Sequence, residues 1–169
     1  MKKLLLALIS VLILSGCASS SQVNSEFSPT DIAFAEMMIP HHEQAIEMSE
    51  LALMNSTNPE VLELAQEIKS AQAPEIDLMK SWAGVKVSTH AGHMMDGMLS
   101  EDELNALREA SGAEFDRLFL QGMIKHHQGA IEMAMDVKNA KSMVVAELSA
   151  AIIAQQEIEI TRMEELLLK

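Results

Sequence analysis

The residues from Met38 to Met48 read MIPHHEQAIEM, and those from Met123 to Met133 read MIKHHQGAIEM. The match extends back to Phe34 and Phe119, so that nine of fifteen aligned positions are identical. Weaker matches follow in each half, where Gln72, Glu75, Ile76 and Met79 align with Gln156, Glu159, Ile160 and Met163. A single helix–turn–helix unit cannot bury its own apolar face, so the two halves are expected to pack together. The predicted fold is an all-α four-helix bundle built from two repeated helical hairpins.

The composition agrees with this class. The chain has 169 residues, a usual length for one domain, and contains four Phe, one Trp and no Tyr. Core volume must therefore come from aliphatic residues and from fourteen methionines. Met fills irregular gaps in apolar cores, but its thioether sulfur is also a soft ligand for Cu(I). The net charge of −13 disfavours nucleic acid as a partner, since an acidic chain repels phosphates, and it suits a protein that meets cations.

The first residues have the pattern of a lipoprotein signal. Two lysines precede an apolar stretch from Leu4 to Leu14, which has the length of a signal-peptide core and is too short to span a bilayer. The sequence LSGC then ends at Cys17, the only cysteine of the chain, and resembles a bacterial lipobox. We predict a signal peptide at 1–16, lipidation of Cys17, a Ser-rich tether at 17–28 and the helical bundle at 29–169. An ordinary secretory signal with a chance cysteine is the alternative.

Lipidation would place the protein in the cell envelope, anchored to the membrane by its acyl chains. Because Ala18 rather than Asp follows the cysteine, the expected location is the periplasmic face of the outer membrane if the host is Gram-negative. Removal of the signal deletes two lysines and no acid, so the mature charge becomes −13 − 2 = −15. No second cysteine remains for an internal disulfide.

Capping signals indicate where the helices begin. Ser28 with Pro29 predicts the start of the first helix, and Asn58 with Pro59 predicts the start of the second. The stretch SEDE, at 100–103, is a capping box that predicts a short additional helix. The residues between the hairpins, 85–99, have the glycines and polar residues of an exposed loop.

The repeated histidine pairs suggest a metal site. On a helical wheel, each pair and its flanking methionines face the seam between the hairpins. Imidazole binds copper, zinc, nickel and iron, whereas thioether sulfur selects soft ions. The predicted ligands are Met38, His41, His42 and Met48 in the first half, with Met123, His126, His127 and Met133 in the second. The alternatives are four histidines satisfied within the core and methionines that serve only as packing.

Carboxylates are not expected at this site. Glu43 and Glu47 fall on the opposite side of the wheel, where a solvated acidic face is the simpler explanation. Ferritin-like di-iron bundles use Glu-x-x-His, and no such motif is present in the sequence. A carboxylate-rich iron site is therefore disfavoured.

The loop between the hairpins is a second candidate metal site. Five possible ligands fall within nine residues, namely His90, His93, Met94, Met95 and Met98. Exposed methionines have little purpose as packing, which favours the ligand interpretation. With the nearby Asp96, the loop could also bind Cu(II).

These motifs resemble those of the DUF305 family. The doubled Met-Ile-x-His-His motif, followed in each half by a helix with Gln-x-x-Glu-Ile, carries the resemblance from about Phe27 to the C terminus. The family implies a secreted, ferritin-like four-helix bundle that binds copper or silver outside the cytoplasm. The chain departs from the pattern by its lipobox, and by Gly122 where the first repeat has Met37.

The expected function is an envelope lipoprotein that sequesters or hands on copper, with Cu(I) as the bound ion and Ag(I) as its mimic. Its partners would be metal ions, the membrane and envelope copper-handling proteins. We do not expect an enzyme, because no nucleophile–base pair, phosphate loop or carboxylate dyad is found in the sequence. Two alternatives remain open, namely a metal-dependent oxidoreductase and a structural envelope lipoprotein without metal.

Overall fold

A computed structural model of the chain describes residues 26–86 and 94–169. Within these ranges the fold is all-α, with five helices and no strand. The helices are α1 (Pro29–Asn55), α2 (Pro59–Lys80), α3 (Glu101–Glu109), α4 (Gly112–Val137) and α5 (Met143–Leu167). The predicted class is confirmed, and α3 is the short additional helix that the capping box at 100–103 predicts.

The helix starts follow from their capping residues. Ser28 accepts a hydrogen bond from the backbone N–H of Asp31, and the Asp31 carboxylate accepts one from the Ser28 N–H at 2.7 Å. Ser100 and Glu103 form the same reciprocal pair at the start of α3, as the sequence predicts. The Asn58 side chain caps α2 through the N–H of Glu60. Each cap satisfies backbone donors that the first helical turn leaves without partners.

The four long helices pack as two pairs. α1 lies against α2 and α4 lies against α5, while the pairs meet mainly through α1 and α4. α1 and α4 run antiparallel, because Phe34 shares an apolar cluster with Val137 and Ala52 shares another with Phe115. α2 and α5 make few contacts with each other. The repeated halves are therefore related by a pseudo-two-fold axis that passes between α1 and α4, where these two helices cross.

Two apolar clusters fill the bundle, and polar side chains separate them. Along α1, residues 34–39 belong to one cluster and residues 45–52 to the other, and the same division recurs on α2, α4 and α5. The residues at the division form what we call the polar layer, which consists of His41, His42, Gln72, Glu75, His126, His127, Gln156 and Glu159. Every long helix thus contributes two polar residues to the centre of the fold.

The segment that precedes α3 is docked against α1 and α4. We call residues 94–99 the connector segment. The Gln44 amide donates to the Leu99 carbonyl at 3.0 Å and accepts from its N–H at 2.8 Å. A Cβ on Gly129 would overlap the carbonyl group of Asp96, so only glycine permits this approach. Gly97 has a φ of +83°, which favours glycine, and it packs on the Lys125 carbonyl.

The connector segment corrects the expectation of an exposed loop. Leu99 is buried, Met95 and Met98 are half-buried, and only Met94 is largely exposed. The docked connector segment also explains why the second repeat has Gly122 where the first has Met37, because a Cβ at Gly122 would lie 3.1 Å from the Leu99 side chain. Gly122 leaves room on α4 for the Leu99 side chain of the connector segment.

Several predictions fall on residues that the structure does not describe. The signal peptide at 1–16, the lipidated Cys17, most of the tether and the loop ligands His90 and His93 lie outside the described ranges, and they stay predictions. In the described ranges, no helix combines the length and the hydropathy that crossing a bilayer requires.

Replacing Gly129 by Ala should detach the connector segment and destabilise the protein. The added Cβ meets backbone, which cannot move aside as a side chain can. We expect a loss of about 1–3 kcal/mol in the free energy of unfolding, measured by urea denaturation. Gly122→Ala is the matched control, since it gains the same helix propensity but meets only side-chain ends. Equal stabilities of the two variants would contradict the proposed backbone contact.

Candidate metal centre

Two histidines meet where α1 and α4 cross. The ring centroids of His41 and His126 are 3.8 Å apart, with the planes tilted by 42°. Both side chains are fully buried, as are those of His42 and His127. The centroid of His127 lies 6.4 Å from that of His126. The structure therefore brings the predicted imidazoles together in the middle of the bundle, away from solvent.

Each outer imidazole is hydrogen-bonded to a glutamate of the neighbouring helix. Nε2 of His42 lies 2.9 Å from Oε2 of Glu75 on α2, and Nε2 of His127 lies 2.6 Å from Oε2 of Glu159 on α5. The Glu159 carboxylate also accepts from the amide of Gln155 at 2.8 Å. The carboxylates of the centre thus come from the second helix of each pair rather than from α1 or α4.

Glu75 and Glu159 correct the expectation that no carboxylate lies at this site. Glu43 and Glu47 do lie on a solvated face, since both side chains are nearly half exposed and form ion pairs with Lys80 and Arg108. The sequence signal for these two residues is the Gln-x-x-Glu that is repeated in the second helix of each half, at Glu75 and Glu159. A polar pair kept in both copies at the same distance from the turn indicates a shared position in the fold.

The repeated glutamines complete the polar layer. Gln72 and Gln156 are each 2% exposed and belong to the same helices as the two glutamates. Neither the nitrogen nor the oxygen of the Gln72 side-chain amide has a hydrogen-bond partner among the described residues, and the Gln156 amide oxygen also lacks one. A buried amide without a partner costs roughly 1–3 kcal/mol, so this layer does not stabilise the fold by itself.

The hydrogen bonds of the imidazoles indicate where their lone pairs lie. Nε2 of His41 is 3.1 Å from the carbonyl oxygen of Asp96, which can only accept. The proton is therefore on Nε2, and Nδ1 carries a free lone pair. The same reasoning applies to His42 and His127 in their neutral forms, because each points Nε2 at a carboxylate. Within the described part of the chain, none of these three Nδ1 atoms has a hydrogen-bond partner, and neither ring nitrogen of His126 has one.

Burial keeps three of these imidazoles neutral. It lowers the pKa of His41 from 6.5 to about 3, with a further contribution from the charge of the neighbouring His42. Burial also lowers the pKa of His126 well below its ordinary value, and His41 beside it acts in the same direction. The pKa of His127 falls for the same reason, although Glu159 opposes the shift. Neutral imidazole is the form that binds metal ions.

The predicted methionine ligands lie above and below the polar layer. Met38 is buried in one apolar cluster, and the half-buried Met133 packs against the same cluster. Met48 and Met123 are both buried in the other apolar cluster. One thioether from each crossing helix therefore lies on either side of the histidines. In the connector segment, the Met95 and Met98 side chains are half-buried and Met94 is 62% exposed.

The donor set fits a metal ion, although the side chains are not arranged as a finished site. Among the described residues, no three His, Asp or Glu side chains are positioned to hold one ion. Buried ring nitrogens without partners and carboxylates that orient imidazoles are nevertheless the features of histidine metal sites.

A comparison with known protein families matches residues 31–167 to the family described as "Domain of unknown function (DUF305)". The chain belongs to the DUF305 family. The match covers all five helices except the first residues of α1. A search of the curated proteins found no match.

Solved structures of DUF305 proteins have the same fold. "CopM in the Cu(II)-bound form" is 38% identical, with a TM-score of 0.71, and the alignment covers 81% of this chain and 95% of that one. A putative secreted protein from Streptomyces coelicolor is 30% identical over 82% of this chain and 91% of its own, with a TM-score of 0.75. A DUF305 fragment from Deinococcus radiodurans is 31% identical over 83% and 96%, with a TM-score of 0.72. CopM structures with Cu(I) and with Ag bound are also similar.

Low pH should destabilise the metal-free protein through His41. Its pKa is near 6.5 when unfolded and about 3 when folded, so between these values only the unfolded chain takes up the proton. The contribution of neutral His41 to the free energy of unfolding is complete above pH 6.5 and is lost as the pH falls toward 3. Compared with His41→Gln, the wild type should lose up to about 1.4 kcal/mol in the free energy of unfolding for each pH unit by which the pH falls within this window.

Urea denaturation of both proteins at a series of pH values measures this difference, and the glutamine can still donate to the Asp96 carbonyl. Parallel stability curves would mean that His41 takes up its proton equally well in the folded state.

Proposed function

We propose that this protein binds copper as Cu(I), with Ag(I) as a mimic, in the polar layer of the bundle. The observation that carries the proposal is the set of four buried imidazoles on facing helices, which leave ring nitrogens without hydrogen-bond partners among the described residues. Buried polar groups without partners destabilise the fold unless a ligand binds to them. A metal ion supplies that ligand, and its binding free energy then adds to the stability of the domain.

Copper is the metal that the donor types favour. Neutral imidazoles bind copper well, and the buried thioethers of Met38, Met48 and Met123 next to the layer favour a soft ion. Relatives with bound Cu(I), Cu(II) and Ag support the same choice. The half-buried Met95 and Met98 of the connector segment lie on the same domain and are proposed as additional ligands.

We place the protein in the cell envelope, attached to the membrane through a lipidated Cys17. The support is the lipobox-like LSGC after an apolar stretch. The four long helices would then act as a ferritin-like bundle on a tether, and they would bind or hand on copper without catalysing a reaction. Replacement of Cys17 by Ser should move the protein from the membrane fraction to the soluble fraction, as measured by fractionation and immunoblotting. Continued membrane association of that variant would contradict lipid anchoring.

Glu75 and Glu159 favour a second candidate, a metal-dependent oxidoreductase. Two carboxylates next to two histidines also suit Cu(II) and iron, which undergo redox chemistry with dioxygen. The two candidates differ in turnover. Dioxygen consumption by the copper- or iron-loaded protein with excess Cu(I) or Fe(II) would favour the oxidoreductase, whereas uptake that stops at a fixed stoichiometry favours the binding protein.

Loss of a central imidazole should weaken Cu(I) binding. We expect His126→Gln to lower the affinity by at least about 100-fold, because even partners of metal ligands contribute 10–100-fold. Competition with a chromophoric Cu(I) chelator under anaerobic conditions measures the affinity. Gln128→Ala is the control, since this exposed residue follows the histidine pair on the same helix. Equal affinities of the two variants would place the copper elsewhere, and no heat from the wild type with Ag(I) in calorimetry would reject copper binding altogether.

A further inference from the structure

The seam between α2 and α5 leads from the surface to the polar layer. The two helices make few contacts with each other, and a cavity of about 10 Å³ lies between them. This volume is close to the minimum that one water molecule occupies. The two glutamines and the two glutamates of the layer line the cavity, together with Ala71, the buried Ile152 and the exposed Gln155.

The buried amides of the seam indicate a polar occupant. Both the nitrogen and the oxygen of the Gln72 amide lack hydrogen-bond partners among the described residues, and so does the Gln156 amide oxygen. Each of these two residues is only 2% exposed. Gln72 and Gln156 line the same small cavity as Glu75 and Glu159. The amide and carboxylate oxygens are acceptors that a cation would satisfy, and a water molecule bound to that cation would accept a hydrogen bond from the Gln72 amide N–H.

The other sides of the polar layer are closed in the described part of the chain. The two apolar clusters cover it along the bundle axis. On the side of α1 and α4, the connector segment places the Asp96 carbonyl on His41, and its glycine lies against the backbone of α4. Glu75 is the most exposed residue of the layer, with 20% of its side chain exposed compared with 5% for Glu159.

We propose that this seam is the port through which a metal cation reaches the histidines, and that Glu75 is its first ligand. The inference rests on the proposed function. The Glu75 carboxylate is already in contact with Nε2 of His42, so an ion held by Glu75 lies next to the first imidazole of the layer.

The chemistry of the donors gives the transfer a direction. A negatively charged cleft raises the local concentration of cations and their rate of association. Carboxylate and amide oxygens are hard ligands that hold a soft ion weakly, whereas imidazole and thioether hold it more tightly. The ion is therefore captured at the seam and released toward the histidines.

Blocking the seam should slow copper uptake while leaving the final occupancy unchanged. Ala71→Trp places a large side chain at the cavity wall, whereas Ala73→Trp adds the same side chain at an exposed position of the same helix. Stopped-flow absorbance follows Cu(I) transfer from a chromophoric chelator to excess full-length protein. We expect Ala71→Trp to slow the transfer at least about tenfold and Ala73→Trp to match the wild type.

A second pair of variants tests the role of Glu75 without adding bulk. Glu75→Gln removes the charge at the port and should slow the transfer about tenfold, whereas Asp77→Asn removes a charge from an exposed position of α2 and should have little effect. Wild-type rates for both Ala71→Trp and Glu75→Gln, with normal final occupancy, would overturn the port but not copper binding. Failure of the wild type to take up copper at equilibrium would instead reject the proposed function, and the port with it.

Discussion

The structure depends on the close approach of α1 and α4 at His41 and His126, whose ring centroids are 3.8 Å apart. In a duplicated chain, residues near the pseudo-two-fold axis meet their own counterparts, so each histidine faces the other. The next turn of each helix presents a small residue, Ala45 or Ala130, and both are fully buried. Small side chains allow the helices to cross closely, and this crossing sets the positions of α2 and α5 on the outer sides.

The crossing also explains why polar residues can occupy the centre of the bundle. Once α1 and α4 bring the histidine pairs together, Glu75 and Glu159 need only lie on the flanking helices to accept hydrogen bonds from the outer imidazoles. Ring nitrogens and amides without partners still make the layer less favourable than an apolar one of equal volume. Its presence in both halves of the chain is therefore better explained by a ligand than by packing.

The sequence was sufficient to predict features that depend on local chemistry or on the repeat. Caps at Ser28 and Ser100 follow from the preferences of a few neighbouring residues, and the repeated histidine pair predicts two facing helices. Glu75 could not be placed in the same way, because α2 is rich in acids and most of them face solvent. Its contact with His42 depends on how α2 rotates against α1, which is a tertiary property. The docking of the connector segment likewise depends on Gly97 and Gly129, which are distant in sequence and meet backbone to backbone.

The connector segment makes two equivalent halves unequal. It binds α1 through Gln44 and α4 through the glycine at the corresponding position, Gly129, so the repeat has diverged where the segment lies. As a result, His41 donates to a carbonyl group whereas His126 has no such partner among the described residues. In His41 this hydrogen bond fixes the proton on Nε2 and leaves Nδ1 free, whereas no hydrogen bond among the described residues fixes the proton of His126 on either nitrogen. The two crossing histidines are therefore equivalent in the repeat but unequal in the structure, because the connector segment orients only the ring of His41.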